Sequence, residues 1–524
     1  MNKLARFTTT TKAAPAAASH ATAKCSRTVR AICLASIAFG IAAQGSEIAW
    51  SSKSGGNLAD GANWSVGNVP GEGDFMSFSY GQSGPIWLSE NLKATGGTSK
   101  IAAAMTLALT NATGEARSLT LYRLDYTRNP SVTARLEAGT LSLTSNFYMG
   151  NAVTAKDMNN TFVVDGDGTT FSGNEFRIGS NCSYSQFVVT NGATLTGTTL
   201  QVGYSTASNG LFRITGPGST ATFSSAVQFG SAGGNRMEVL DGACLVTTNL
   251  NVQRLEKYAS STVWDEACSL RVSGAGSRVV INGASGMGLY LGNTNGPNCS
   301  VEVEDGAVWE SHGEFQIAAD AATNTSFRVA SGATFSHDTH GVFIGSAPSV
   351  GTLFAVDAAT VTVASARGIE VRGTNATLAV SNGASVTTTQ LKLGTGTGEN
   401  DMLNLSGASS RVAVGATLEL KSDGVLAVEI PAGGFTGGVA PISAKTLTLD
   451  AAAKMVVSID PGMRDTGRIV LVEATNDITV PEGFVFELPD AASFPHGKVT
   501  LDRTNAKQIA VKVNCDLPTV ISLR

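Results

Sequence analysis

Short segments in which apolar and polar residues alternate recur along most of the chain. The clearest copies follow the pattern apolar-x-Val-x-turn-Gly-Ala-x-apolar and begin at Phe187, Met237, Val301, Phe327 and Leu378. A two-residue alternation is typical of β-strands that bury one face, and Gly next to Asn, Asp or Ser is typical of a tight turn. We therefore predict an all-β chain of short strands.

These segments form an internal repeat. Turn glycines such as Gly192, Gly216 and Gly242 recur about every 26 residues, and each copy continues into a second strand that stops at a Gly, as in 200–203 and 289–292. One repeat has too few strands to bury its apolar face, whereas stacked repeats bury it against each other. We predict a right-handed parallel β-helix, a solenoid of about ten coils spaced about 4.8 Å apart, over residues 111–450. A row of antiparallel sandwiches would not give a fixed period of one coil.

The two ends depart from the repeat, as the ends of a solenoid should. Residues 46–110 contain Trp50, Trp64 and Trp87 and are predicted to form an N-terminal cap with the first strands. We expect the tryptophans to pack over the first coil, the alternative being a platform on which a sugar stacks. Residues 451–524 no longer show the Gly-Ala turn of the repeat and are predicted to form a β-rich C-terminal cap.

The first 45 residues look like a signal peptide. The basic residues Lys3, Arg6, Lys12, Lys24, Arg27 and Arg30 precede an apolar stretch at 31–43, and a small-x-small cleavage site follows. This order predicts export by the general secretory route, to the cell surface or the medium. An uncleaved amphipathic or buried helix is the alternative. No other stretch approaches the roughly 18 apolar residues of a membrane-spanning helix, so none is predicted in the mature chain.

Composition and charge narrow the list of partners. Charged residues make up only 15% of the chain, and the net charge is −5. Such a chain has no electrostatic reason to bind nucleic acid or an anionic membrane. Cleavage of the leader would leave five cysteines, of which Cys244–Cys268 and Cys268–Cys299 are the closest candidate bridges; small buried thiols are the alternative.

One group of histidines suggests chemistry. His312, His337 and His340 lie close together in the sequence, and alignment of the coils at Trp309 with Phe335 and at Gly313 with Gly341 predicts that His312 stacks about 5 Å from His340. Carboxylates lie nearby at Glu310, Glu314 and Asp338. Imidazoles and carboxylates at this spacing could hold a divalent metal such as Zn²⁺, or act as acid and base on a glycan. The alternative is a solvated polar turn. No other cofactor is predicted.

A second pattern lies at the outward position of the first strand in successive coils, where the sequence places Arg213, Glu238, Arg271, Glu302 and Arg328. Alternating charges on stacked strands form a ladder that fixes the register of the coils. The alternative is a binding stripe for a charged glycan.

The Gly-Ala coils, residues 63–71 (NWSVGNVPG) and residues 447–452 (LTLDAA) together resemble autotransporter-type passenger β-helices of bacterial surface proteins. That resemblance implies a β-helix displayed outside the cell. The chain departs from the family pattern because no run of amphipathic strands of the kind that forms a translocator barrel is predicted in it.

The standard motifs of metalloproteases, P-loop proteins and serine hydrolases do not occur in the sequence. We therefore expect a non-enzymatic exported protein that acts in adhesion or as a structural, glycan-contacting scaffold. Its expected partners are an extracellular polysaccharide or a host or neighbouring cell surface. The alternative is a polysaccharide lyase or glycoside hydrolase, because β-helices also carry such enzymes.

Overall fold

The computed structural model describes residues 45–126, 131–150, 159–204, 207–230, 233–252, 267–292, 298–318, 322–396, 399–495 and 497–515. The predicted signal peptide lies outside these ranges except for its last residue. In the described part of the chain, helix is limited to two 3-10 turns, Gly61–Asn63 and Thr436–Gly438. No helix found there is long and apolar enough to cross a membrane.

The remaining regular structure is β-strand. The strands before residue 180 are β1 (Glu47–Ala49), β2 (Gly56–Asn57), β3 (Phe75–Phe78), β4 (Ile86–Trp87), β5 (Leu92–Ile101), β6 (Met105–Ala108), β7 (Ser118–Tyr126), β8 (Thr133–Ala138), β9 (Thr140–Leu143), β10 (Phe147–Met149), β11 (Thr161–Asp165), β12 (Thr170–Ser172) and β13 (Glu175–Ile178). Those between residues 180 and 350 are β14 (Gln186–Thr190), β15 (Thr194–Val202), β16 (Leu211–Thr215), β17 (Thr220–Phe229), β18 (Arg236–Leu240), β19 (Cys244–Val252), β20 (Ser269–Ser273), β21 (Arg278–Leu291), β22 (Ser300–Glu304), β23 (Val308–Ile317), β24 (Ser326–Ala330), β25 (Thr334–His337) and β26 (Val342–Ile344). The later strands are β27 (Leu353–Asp357), β28 (Thr360–Val363), β29 (Ile369–Val371), β30 (Thr377–Ser381), β31 (Ser385–Thr388), β32 (Leu391–Leu393), β33 (Asp401–Leu405), β34 (Arg411–Leu420), β35 (Gly424–Ile430), β36 (Ile442–Leu449), β37 (Lys454–Ile459), β38 (Gly467–Ala474), β39 (Val485–Glu487), β40 (Gly497–Asp502) and β41 (Gln508–Cys515).

The strands form two sheets, and each turn of the chain contributes to both. Sheet I takes one strand from each turn, in the order β2, β4, β6, β8, β11, β14, β16, β18, β20, β22, β24, β27, β30, β33, β35, β37, β39. Sheet II takes the other strands, and here a turn contributes either one long bent strand, such as β15, or two short ones, such as β12 and β13. Within each sheet, strands of successive turns pair in parallel, from β1 with β3 in sheet II to β37 with β39 in sheet I. The predicted parallel β-solenoid is confirmed.

The predicted number of coils was too low. The structure has about fifteen turns rather than ten, because parallel pairing extends into the segments before residue 111 and after residue 450. The Gly-Ala turn pattern occurs only in the most regular turns, so a count of its copies misses the others.

The core is a column of apolar side chains between the two sheets. Phe162, Phe187 and Phe212 occupy the same register position in three successive turns, with ring centroids 5.4 and 5.9 Å apart. All three are fully buried. Burying one such side chain contributes about 1.5–3 kcal/mol, which explains why the inward positions stay apolar from turn to turn.

The Asn-Gly and Asp-Gly pairs of the repeat form the tight corners. At Asn191–Gly192 the φ angles are 55° and 85°, and at Asp241–Gly242 they are 55° and 84°. Two successive residues in the left-handed region favour Asn or Asp followed by Gly, because other side chains are strained there. This requirement accounts for the part of the repeat that is easiest to see in the sequence.

The N-terminal tryptophans pack in the core. Trp50 and Trp64 are 1% and 3% exposed and meet edge to face at 5.0 Å, with Phe78 beside both. The Trp64 indole donates to the carbonyl oxygen of Leu58, 2.9 Å away. These two rings are therefore unavailable as a sugar platform, whereas Trp87 is partly exposed in β4.

At the other end, β41 pairs antiparallel with both β38 and β40. This hairpin departs from the parallel stacking of the preceding turns. Asp502 at the end of β40 is almost fully buried and lies 3.0 Å from Nε of Arg468.

The predicted charge ladder has the expected register, since Arg213 pairs with Glu238, Glu238 with Arg271, Arg271 with Glu302 and Glu302 with Arg328 along sheet I. The ion pairs differ in part from this order. Arg213 contacts Glu238 at 2.5 Å, but Arg271 contacts Glu304 instead of Glu302. The diagonal partner is two residues further along the neighbouring strand, on the same outward face.

The cysteines lie at separate levels of the solenoid. Cys268 and Cys299 directly precede Ser269 and Ser300, which are paired on adjacent strands of sheet I, and both cysteines are buried. Cys244 lies on sheet II. Neither candidate bridge is formed in the structure, and Cys268 and Cys299 are the buried thiols of the alternative prediction.

Candidate functional site

The three histidines lie where β23 and β25 meet in sheet II. The predicted alignment of Trp309 with Phe335 is confirmed, and it places Ser311 opposite His337. The next residue, His312, therefore lies beside Asp338, with 2.6 Å between Nδ1 and Oδ1. The prediction that His312 stacks on His340 is wrong, because Asp338 occupies that position.

The His312–Asp338 contact shows which nitrogen of the imidazole faces the carboxylate. A carboxylate only accepts hydrogen bonds, so Nδ1 carries the proton that it donates to Asp338. In the neutral ring the second nitrogen, Nε2, is then the acceptor, and the side chain is 39% exposed. A histidine oriented by a carboxylate in this way is arranged as a general base.

His337 points the other way, into the core. It is 2% exposed and packs against Phe315 and Phe335. Its Nε2 donates to the carbonyl oxygen of His340 at 2.7 Å, so the neutral ring accepts at Nδ1 from the Ser311 hydroxyl, 2.9 Å away. Burial lowers the pKa of His337 to about 4, which keeps the ring neutral at pH 7.

The remaining candidates do not converge on these two. Glu310 forms an ion pair with Arg278 on the preceding turn. His340 Nδ1 is buried without a hydrogen-bond partner, and the His340 carbonyl oxygen, not the ring, contacts His337. Among the residues that the structure describes, no group of three or more His, Cys, Asp or Glu side chains is arranged to hold a metal ion. The predicted metal site therefore lacks a converging set of ligands.

The His312–Asp338 pair lies in a shallow depression lined by Glu310, Ser336, Thr362 and Ala364. Thr362 and Ala364 also line the beginning of a longer groove that continues across β28, β31, β34 and β36. The groove follows the bend of sheet II, where the register shifts between Val414 and Thr417. Its further lining residues are Val363, Thr387, Thr388, Thr389, Ala413, Val414, Gly415, Ala416 and Ser443.

Small and hydroxyl-bearing residues make this groove. Thr362 pairs with Thr387, and Thr387 pairs with Ala413 on the following turn. Short side chains at the bend leave a depression, while threonines offer both methyl and hydroxyl groups. The sequence analysis missed the groove, although the recurrence of Thr and Ala at one phase of the repeat was the signal that could have found it.

Comparisons with known proteins do not supply a relative. No family model, no curated protein and no solved structure matches this chain.

Proposed function

We propose that this protein is an exported, non-enzymatic β-solenoid that acts at the cell surface or outside the cell, in adhesion or as a glycan-contacting structural scaffold. The observation that carries the proposal is the hydroxyl-rich outer face of sheet II. Thr140, Thr170, Thr194 and Thr220 pair in register across successive turns. Ser142, Ser172, Thr196 and Thr222 form a parallel column two residues away.

These columns favour a long, neutral, hydroxyl-rich partner. Parallel strands hold the hydroxyls at a regular spacing of about 4.8 Å, so one polymer can make the same contact on several turns. Many charged side chains of the solenoid pair with each other, as Arg123 does with Asp125 and Arg177 with Glu175. A polysaccharide fits this surface better than a highly charged polymer does.

Export rests on the sequence. The basic and apolar segments at 1–43 and the resemblance to autotransporter passengers support it. Fractionation of the producing cells, followed by N-terminal sequencing of the exported protein, tests this part. We expect a new N-terminus near residue 46, and an intact protein retained in the cytoplasm would overturn it.

The glycan contact is tested by co-sedimentation of the purified protein with insoluble cellulose, xylan, chitin and calcium pectate. We expect retention on at least one neutral polymer and release by a soluble oligosaccharide of the same type. Serum albumin serves as the protein control. Retention on none of these polymers, or equal retention of albumin, would count against the proposal.

A second candidate function is glycan cleavage. The observation that favours it is the His312–Asp338 pair, which presents the Nε2 edge of an oriented imidazole at the end of the groove. The test is release of reducing ends or unsaturated uronates from the same polymers, with His312→Ala as control. Equal product from both proteins, or none, removes this candidate.

A further inference from the structure

A line of planar polar side chains runs along the second half of sheet II, on the opposite side of the bend from the hydroxyl columns. It comprises Gln201, Gln228, Asn251, Tyr290 and Gln316, here called the amide stripe. Each residue pairs in register with the next, from β15 through β17, β19 and β21 to β23. Each is the outward residue between two inward apolar ones, as Asn251 is between Leu250 and Val252.

Two amides of the stripe, Gln201 and Asn251, have unused hydrogen-bonding capacity. Neither Oδ1 nor Nδ2 of Asn251 has a hydrogen-bond partner, although this side chain is only 1% exposed. Oε1 of Gln201 is also buried and without a partner, as is Oδ1 of Asn249, one outward position before Asn251. Stacked Asn and Gln side chains commonly bond to each other along a ladder. Within the described part of the chain Asn251 makes no such bond, and a buried polar group without a partner calls for a specific explanation.

One end of the stripe is closed by a rigid column of side chains. Arg177 pairs in register with Gln201, and its guanidinium lies 4.7 Å from the ring of Tyr148 and 4.2 Å from that of Tyr204. Glu175 neutralises it at 2.9 Å. The border is therefore fixed and carries no net charge, so it gives no attraction to an ionic ligand.

We propose that the amide stripe binds a neutral, linear oligosaccharide that lies along the solenoid axis with about one sugar unit per turn. This inference rests on the proposed function and names its ligand class and site. An amide side chain both donates and accepts, as a sugar hydroxyl does, so each can satisfy the other. The spacing of the turns, about 4.8 Å, is close to the length of one unit in an extended β-linked chain.

The shorter Asn251 lies at the floor of the stripe, between the longer Gln228 and Tyr290, which are both partly exposed. A sugar hydroxyl reaches Asn251 when the partly exposed Gln228 changes rotamer. An extended peptide is the other linear ligand of this size, but its backbone groups repeat at the spacing of one residue, about 3.3 Å, which does not match the turns.

The test is titration calorimetry of the full chain with cellohexaose, xylohexaose and chitohexaose, with hexagalacturonate as the acidic counterpart and a Gly-Ser hexapeptide as the peptide probe. We expect binding of at least one neutral hexasaccharide. The variant Gln228→Ala/Asn251→Ala should weaken it at least tenfold. The matched control Gln186→Ala/Asn404→Ala, an outward Gln and an outward Asn of sheet I, should change the affinity less than twofold.

A second variant separates binding from folding. Asn251→Leu replaces an amide without partners by an apolar side chain of similar size, so the Tm should stay equal or rise while hexasaccharide binding is lost. A fall in Tm would mean that the amide serves the fold, and would overturn the assignment.

The outcomes also separate the two proposals. Wild-type protein that binds polymers and hexasaccharides, but binds them equally well after the stripe substitutions, overturns the stripe and leaves the proposed function standing. Equal weakening of binding in the sheet I control and in the stripe variant does the same. Failure of the wild type to bind any glycan, or binding of the peptide probe alone, overturns both.

Discussion

Arg271 donates from Nε to Oε1 of Glu304 across 2.6 Å, although Glu302 is the residue opposite it in the strand register. Arg328 on the following turn approaches the same carboxylate to 4.0 Å and also contacts Asp357 at 2.9 Å. Glu304 thus lies between two arginines, one on each neighbouring turn. Within the described residues Glu302 has no ion pair of this kind.

We expect Glu304→Gln to lower the free energy of unfolding by about 0.5–1 kcal/mol, because partly exposed ion pairs contribute up to about that amount. Glu302→Gln is the matched control and should change it less. Chemical denaturation at low and high salt measures both, and the difference between them should shrink in high salt. An equal effect of the two substitutions would contradict the diagonal pairing.

Reversal of one charge in the ladder should cost more than its removal. Glu238→Arg places a third positive charge between Arg213 and Arg271, whereas Glu238→Gln only removes the 2.5 Å contact with Arg213. We expect the reversal to lower the Tm modestly and the neutral substitution to lower it less, with the β-rich circular dichroism spectrum of both unchanged. An unaltered Tm after charge reversal would show that the ladder does not stabilise the register.

His337 should make stability fall in mild acid. Burial lowers its folded-state pKa to about 4 from the usual 6.5, so between these values the unfolded chain binds a proton that the folded chain does not. The contribution is complete above pH 6.5 and is lost as the pH falls to about 4, by at most about 1.4 kcal/mol per pH unit. His337→Gln can still accept from Ser311 and donate to the His340 carbonyl, and denaturation curves should show that it lacks this slope. A slope identical to that of the wild type would contradict the assignment.

Asp401 should act in the opposite direction. Its side chain is fully buried, and burial together with the charge of Asp423 raises its pKa to about 7 from 3.8, although the backbone N–H groups of Ala376 and Gly373 oppose the rise. Between these values the folded chain holds a proton that the unfolded chain has lost. Stability should therefore decrease as the pH rises from about 4 to about 7.

The two slopes oppose each other in the wild type between pH 4 and 6.5. Asp401→Asn should reveal the full loss of stability in acid that His337 causes. His337→Gln should reveal the gain of stability in acid that Asp401 causes. Denaturant midpoints at half-unit pH intervals measure this. Parallel pH profiles for the two variants would show that neither residue sets the pH dependence of stability.

Much of the fold could be predicted because its signals are local. Alternation of apolar and polar residues at Phe187 and Phe212 sets which side chains enter the core, and the Asn191–Gly192 pair supplies the two left-handed residues of a corner. Repetition then requires stacking, since a single turn cannot bury its apolar face. The register of Trp309 with Phe335 followed from the same reasoning.

The candidate site was predicted less well, because it depends on offsets of one residue that the repeat does not fix. The two strands pair with an offset of 26 residues at Trp309 and of 27 residues at Phe315, so the alignment of Gly313 with Gly341, which needs an offset of 28, is wrong. The Trp309–Phe335 register, continued without a shift, places Asp338, not His340, beside His312 and His337 opposite Ser311.

The sequence by itself determined the solenoid and its parallel stacking, because periodicity and turn chemistry act within one repeat and each turn copies the last. Only the tertiary structure decided which charges pair, which histidine is buried and which amides remain without partners. Those properties arise between turns, where the direction of a side chain and the bend of the sheet set distances of a few ångströms.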